Sequence, residues 1–293
     1  MWKHRLCLGL SKSFSVPDTQ QIKLIKNAGF DAFFSMWDPQ TIGSLAKAGK
    51  ENGLVFQSVH APFNKAADFW VDDIVKGDAA LAEMLACLND CAKYNIPIMV
   101  AHAFIGFKDH TPTKIGLERF AKVVYQAKKY GVKIALENTE GEEYLFALMD
   151  EFKNNDTVGF CWDSGHEMCY NHSKDLLNIF GDRLIATHLN DNLGISSFDE
   201  GMTKGGREHS VRGRELAKKL LPQLPDRTLH LNCGGCRFCR RCAKQDGKPC
   251  RAPDNALSSL EAYGIDVYQT VKKTKLKYVN GTNTVTYFGI ILF

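Results

Sequence analysis

Short apolar, β-branched runs alternate along this chain with longer amphipathic stretches, the pattern that repeated βα units and a parallel sheet produce. Eight runs read as strands, at 5–10, 30–36, 54–60, 97–103, 132–137, 157–162, 183–190 and 227–232. Between them lie helical stretches such as 115–130, where Phe120, Val123, Val124 and Ala127 share one face and Gly131 supplies a stop. The stretch ending at Tyr94 likewise aligns Leu81, Met84, Leu85, Leu88 and Ala92. No glycine-rich dinucleotide fingerprint follows the first strand, so the alternation predicts an α/β fold of the (β/α)8 barrel type, not an open doubly wound sheet. The eighth unit is atypical: 194–214 is polar and glycine-rich, and its helix, 215–221, is short. After Asn232 the texture changes, with five cysteines between positions 233 and 250 and two strand-like runs around Asn280-Gly281. The expected organisation is a barrel over 1–232 and a small cysteine-rich metal-binding segment over 233–293.

The length of 293 residues fits this division, since one such barrel takes about 250. Residues 1–10 are interrupted by Lys3, His4 and Arg5 and do not read as a signal peptide. No apolar run reaches the ~20 residues of a membrane span. The expectation is a cytoplasmic protein, where thiols stay reduced and ten cysteines point to metal ligation or packing. The net charge of +4 hides an asymmetry: residues 1–200 hold 20 Lys and Arg against 26 Asp and Glu, and the remainder 17 against 7. The acidic first part argues against a nucleic-acid partner; the basic second part compensates clustered thiolates or meets an anion.

Barrel chemistry gathers at the C-terminal ends of the strands. Those positions read His60, His102, Glu137, Asp163, His188 and His230, with His166 three residues beyond Asp163. Imidazoles and carboxylates converging at one end of a barrel suit a divalent ion, and the nitrogen donors favour zinc, manganese, iron or cobalt over magnesium. Any one of these histidines alone reads as a hydrogen-bonded structural residue; the set, above apolar strand interiors, does not. Glu140, Glu142 and Glu143 read as the acidic first turn of the next helix. Trp37 and Phe63 either wall a substrate pocket or are ordinary packing. His4, His110 and His172 fall outside the pattern and read as surface residues.

The stretches Val59-His60-Ala61-Pro62-Phe63, Ala101-His102, Leu136-Glu137-Asn138-Thr139, Cys161-Trp162-Asp163-Ser164-Gly165-His166 and Thr187-His188-Leu189-Asn190-Asp191 resemble the xylose isomerase-like barrel superfamily. That superfamily holds sugar isomerases and epimerases, inosose dehydratases and the AP endonuclease IV enzymes. The resemblance implies one divalent ion held by Glu137, Asp163 and His188, with His230 standing where the family's last-strand Glu is expected. It implies Glu137 as the base, with His188 and His102 as further catalytic groups. His60, His102 and His166 would orient hydroxyls or bind a second ion, and Trp37, His60, Asn138, His166 and Asp191 would contact substrate. Many relatives carry Asp-x-His after the seventh strand, where this chain has Arg207-Glu208-His209.

From Cys233 onward the chain resembles a family of predicted metal-binding proteins of unknown function, through Cys233-Gly234-Gly235-Cys236, Cys239, Cys242, Pro249-Cys250-Arg251 and the run 259–267. Cysteines at every third position let several thiolates reach one centre, zinc or an iron–sulfur cluster. The function these resemblances imply is metal-dependent isomerisation or epimerisation next to the carbonyl of a small sugar or polyol, through an enediolate. The alternatives are a zinc phosphodiesterase of the AP endonuclease type and a non-catalytic metal-binding protein with a degenerate barrel.

Overall fold

The computed structural model describes residues 6–11, 16–107, 111–171, 174–191, 229–233 and 290–292. Eight strands run parallel in chain order: β1 (Leu6–Gly9), β2 (Ala32–Met36), β3 (Val55–His60), β4 (Ile98–His102), β5 (Lys133–Glu137), β6 (Val158–Asp163), β7 (Leu184–Asp191) and β8 (Leu229–Cys233). A ninth, β9 (Ile290–Leu292), pairs antiparallel with both β1 and β8 and closes the ring. The expected TIM barrel is present, with one difference. Two strand-like runs were expected in the tail around Asn280-Gly281; Ile290–Leu292, at its end, joins the barrel sheet. The physical reason is that β1 and β8 would otherwise face each other across an open seam, and an apolar run pairs their free edges. The turn at Asn280-Gly281 and the helix expected at 215–221 lie outside the described residues.

Helices α1 (Asp18–Asn27), α2 (Ile42–Glu51), α3 (Ile74–Lys93), α4 (Lys114–Tyr130) and α5 (Glu142–Glu151) follow the first five strands. The short α6 (Ser164–Tyr170) and α7 (Leu176–Phe180) share the sixth connection. Helix α4 buries Phe120, Val123, Val124 and Ala127 as its periodicity predicts, and it stops at Gly131, whose φ of 68° is the left-handed form that glycine tolerates. Asp73 and Thr113 cap α3 and α4 by accepting from Lys76 N and Gly116 N. Two glycines let these helices approach their neighbours. A Cβ on Gly77 would meet the Arg119 guanidinium at 1.9 Å, and one on Gly116 would meet the Trp70 ring at 2.1 Å.

Because strand side chains alternate, the inward set can be read by twos. Val100, Ala135, Cys161 and Ala186 form one small-residue cluster, and Cys7, Ala32 and Phe34 another. Two positions further along each strand stand His102, Glu137, Asp163 and His188. The register pairs His102 with Glu137 and Asp163 with His188. The barrel thus lifts its polar layer directly above an apolar plug. No helix among the described residues is long and apolar enough to cross a membrane.

Candidate metal centre

Glu137 is at the middle of the polar layer and is 1% exposed. Its two oxygens face different partners. Oε2 lies 3.0 Å from His60 Nε2 and 3.3 Å from His102 Nε2. Oε1 lies 2.6 Å from His188 Nδ1 and 3.6 Å from His166 Nδ1. Asp163 Oδ2 stands 3.8 Å from His188 Nδ1, while its Oδ1 accepts from His166 N and so caps α6. One carboxylate is therefore ringed by four imidazoles, with a second carboxylate alongside.

The ring proton of His60 can be placed. Its Nδ1 lies 2.7 Å from the Ala61 carbonyl oxygen, which only accepts, so Nδ1 donates. In the neutral ring Nε2 is then a bare lone pair aimed at a carboxylate. Either a second proton or a metal ion between them resolves that contact. His166 Nδ1 likewise donates to the Asn138 carbonyl, at 3.0 Å. His102 is buried, and its Nδ1 has no hydrogen-bond partner among the described residues. Buried polar nitrogens are costly unless paired, so these rings suit a cation or a ligand.

Charge is redistributed accordingly. Burial alone would favour protonated Glu137, but the His188 charge and the His188 hydrogen bond hold it well below the usual carboxylate range. Burial pushes Asp163 up. It would push His188 down, yet the Glu137 carboxylate against its Nδ1 raises that ring well above its ordinary value. Burial brings His102 down to about 4, against the pull of Glu137. Cys161, beneath the layer, is pushed up to about 12 by burial and stays a thiol. Three donor sets stand close enough to hold an ion: His60, His102 and Glu137; Glu137, Asp163 and His166; and Glu137, Cys161 and His188. They support a divalent metal in the barrel.

The structure brings six expected residues together: His60, His102, Glu137, Asp163, His166 and His188. His188 lies inside β7, level with Asp163, and not at the strand's end. His230 belongs to β8, one residue before Leu231, which is in register with Leu189; that places it at the level of His188. Asp191 ends β7 and Cys233 ends β8. Cys236, Cys239, Cys242 and Cys250 lie outside the described residues, as do His4, His110, His172 and Arg207.

Two expectations of substrate contact change. Asn138 is fully buried and its amide is engaged within the protein: Oδ1 accepts from Asp163 N, and Nδ2 donates to Asp163 O and Asn171 Oδ1. It clasps β5 to β6. Trp37 donates its indole N–H to Asp90 and lines a rim groove with Ser35, Asp38 and Pro62, which leaves a ring face and not a hydrogen bond for a ligand. Phe63 stacks on His102 with centroids 4.7 Å apart, so it orients a donor ring. Glu142 and Glu143 occupy the first turn of α5, as expected. Sequence reasoning missed Cys161, although it is two residues before Asp163 and so on the same strand face. It also missed Asn171, which carries no spacing signal.

A family model described as a predicted metal-binding protein (DUF2284) matches residues 170–293, so β7 and β8 lie within the match as well as the cysteines. An uncharacterised protein of Sinorhizobium fredii is 42% identical over 69 residues, a match that spans 22% of this chain and 22% of that one. Among solved structures, a xylose isomerase domain protein from Planctomyces limnophilus gives a TM-score of 0.51 at 13% identity, over 69% of this chain and 90% of the other. A 3-keto-D-glucoside 4-epimerase from E. coli gives 0.52 at 15% identity, over 72% and 86%. A Thermus thermophilus protein soaked with zinc chloride gives 0.53 at 21% identity, over 73% and 88%. The chain has the fold of the xylose isomerase-like TIM barrels, and from Tyr170 onward it matches a family of predicted metal-binding proteins.

Proposed function

We propose that the protein is a metal-dependent isomerase or epimerase acting next to the carbonyl of a small sugar or polyol. The observation that carries the metal is the gathering of two buried carboxylates on one ring, with His188 Nδ1 2.6 Å from Glu137 Oε1 and 3.8 Å from Asp163 Oδ2. Glu137, Asp163 and His188 would hold the ion, with His230 or water completing its shell; zinc, manganese, cobalt and iron all suit these donors. When bound, the ion supplies a Lewis acid that polarises a carbonyl and stabilises the negative charge that develops beside it. Glu137 takes the proton from the carbon next to the carbonyl. His102, buried with an unpartnered Nδ1, and His60 orient substrate hydroxyls. Trp37 offers an indole face at the rim. The solved neighbours support the sugar as substrate, since one is named as a keto-glucoside epimerase. The cysteines at 233, 236, 239, 242 and 250 would form a second, independent centre, zinc or iron–sulfur, within a segment 233–293 that also returns Ile290–Leu292 to the barrel.

A panel of ketoses incubated with the protein in D2O tests the reading. Deuterium at the carbon beside the carbonyl, lost in Glu137→Gln, is the expected result; no uptake from any ketose rejects it.

One observation favours a phosphodiesterase instead. Glu137 turns one oxygen to His60 and His102 and the other to His188, and it belongs to all three donor sets. Two ions sharing a carboxylate would suit in-line attack at phosphorus. That enzyme would nick abasic duplex DNA, with affinity falling steeply as salt rises. The acidic balance of residues 1–200 and Arg207 in place of Asp favour exchange without nicking.

A further inference from the structure

Asp163 and His166 are carried by one short turn, and what holds that turn lies outside the donor set. At its start, the Asn138 amide makes two hydrogen bonds to the peptide groups of Asp163, 2.7 Å to N and 2.9 Å to O. The Asn138 carbonyl also accepts from His166 Nδ1, which places the proton of the neutral ring on Nδ1 and the lone pair on Nε2. At its end stands Asn171, 1% exposed, the residue that follows α6. Its Oδ1 accepts the second amide hydrogen of Asn138 at 3.2 Å. Its Nδ2 donates to Thr139 O at 2.9 Å and to Glu142 Oε2 at 3.2 Å. The other oxygen of Glu142 pairs with Lys174. The turn is thus pinned at both ends to the β5–α5 connection, and every polar atom of the Asn171 side chain takes part.

We propose that Asn171 is a positioning residue of the metal centre: it fixes the Asn138 side-chain amide, and through it holds Asp163 in place, while the main-chain carbonyl of the same residue takes the His166 proton. The inference rests on the metal reading above. Removing Asn171 leaves an amide hydrogen of Asn138 and the Thr139 carbonyl buried and unpaired. The turn relaxes to satisfy them and carries Asp163 and His166 away from Glu137. Loss of such an outer partner typically costs about 10–100-fold in metal affinity.

The test uses the full chain and zinc alone. Zinc affinity is measured by competition with a chromophoric chelator, well below each variant's unfolding temperature, and Asp163→Asn marks the binding phase that belongs to the barrel. Asn171→Leu should weaken that phase by about 10–100-fold. Asn171→Ser, small enough to admit water, serves if Leu does not fold and is expected to move in the same direction. Asn171→Asp keeps the acceptor for Asn138 but has no hydrogen for Thr139 O and sets a carboxylate against Glu142 Oε2, so it too should lose affinity. Arg183→Met is the control for plain instability. Arg183 donates to the carbonyls of Met149, Phe152 and Val158 at the opposite end of the barrel, and its loss should leave zinc affinity unchanged. Parental affinity in Asn171→Leu or Asn171→Ser overturns the inference, as does an equal loss in Arg183→Met. Absence of any phase that Asp163→Asn removes overturns the metal centre itself, and this inference with it.

Discussion

The site's chemistry is decided by individual rings and carboxylates whose neighbours fix their protons. His102 shows how this reaches stability. Burial brings its pKa to about 4, against 6.5 for an exposed ring, so between these values the unfolded chain binds a proton that the folded site refuses. The unfolded state gains as pH falls through that window, and the contribution is absent above it. In the metal-free protein the free energy of unfolding should drop by up to roughly 3 kcal/mol between pH 6.5 and 4 on this account. Denaturant titrations across the range should show a flatter slope in His102→Gln; an identical slope would assign the proton elsewhere. For the ion itself, Asp163→Asn and His188→Ala should each lower the barrel's metal content by elemental analysis of the full chain. Unchanged occupancy in both variants would remove these residues from the ligand set.

At the scale of elements, packing depends on a few close approaches that single residues decide. Gly116, near the start of α4, faces Trp70, whose ring is fixed by its N–H bond to Ala103 O and by contact with Tyr144 and Phe120. The ring cannot retreat from a Cβ 2.1 Å away. Gly116→Ala should cost about 1–3 kcal/mol by overpacking, despite alanine's better helix propensity. A melting temperature equal to or above the parent's would contradict that packing. The strands and these helices were legible in the sequence because period-2 and period-3.6 patterns are local: α4 buries the face its spacing predicts, and His60, His102, Glu137 and Asp163 end their strands as read. The bulge between Phe160 and Cys161 was not legible. Nor was the Asn138–Asn171 clasp, because paired amides carry no periodic signature and Asn138 reads equally as a ligand contact.

The whole molecule answers a question its segments leave open, namely what closes the barrel. Hydrophobic texture marks a change at Cys233, yet the sheet draws its last strand from Ile290–Leu292. Antiparallel pairing across so long a separation leaves no trace in local pattern. A chain truncated after Asn232 should therefore expose the facing edges of β1 and β8 and aggregate. Light scattering would detect this, and a stable monomer with the parental melting temperature would show that β9 is dispensable. The full chain should also reveal the second centre. Visible absorption that bleaches on reduction would mark iron–sulfur, colourless protein containing zinc would mark a structural site, and freely titratable native thiols would reject both.

The same closure sets a clock on biosynthesis. β1 is made roughly 280 residues ahead of its antiparallel partner, an interval on the order of 15–60 s at ribosomal speeds. Throughout that interval one edge of the first strand waits without its mate while seven further strands assemble beside the other. The ring cannot be completed before β9 has been made. The nascent protein is exposed to mispairing with other chains until β9 arrives, so its yield in cells should respond to chaperones that shield open sheet edges during those seconds.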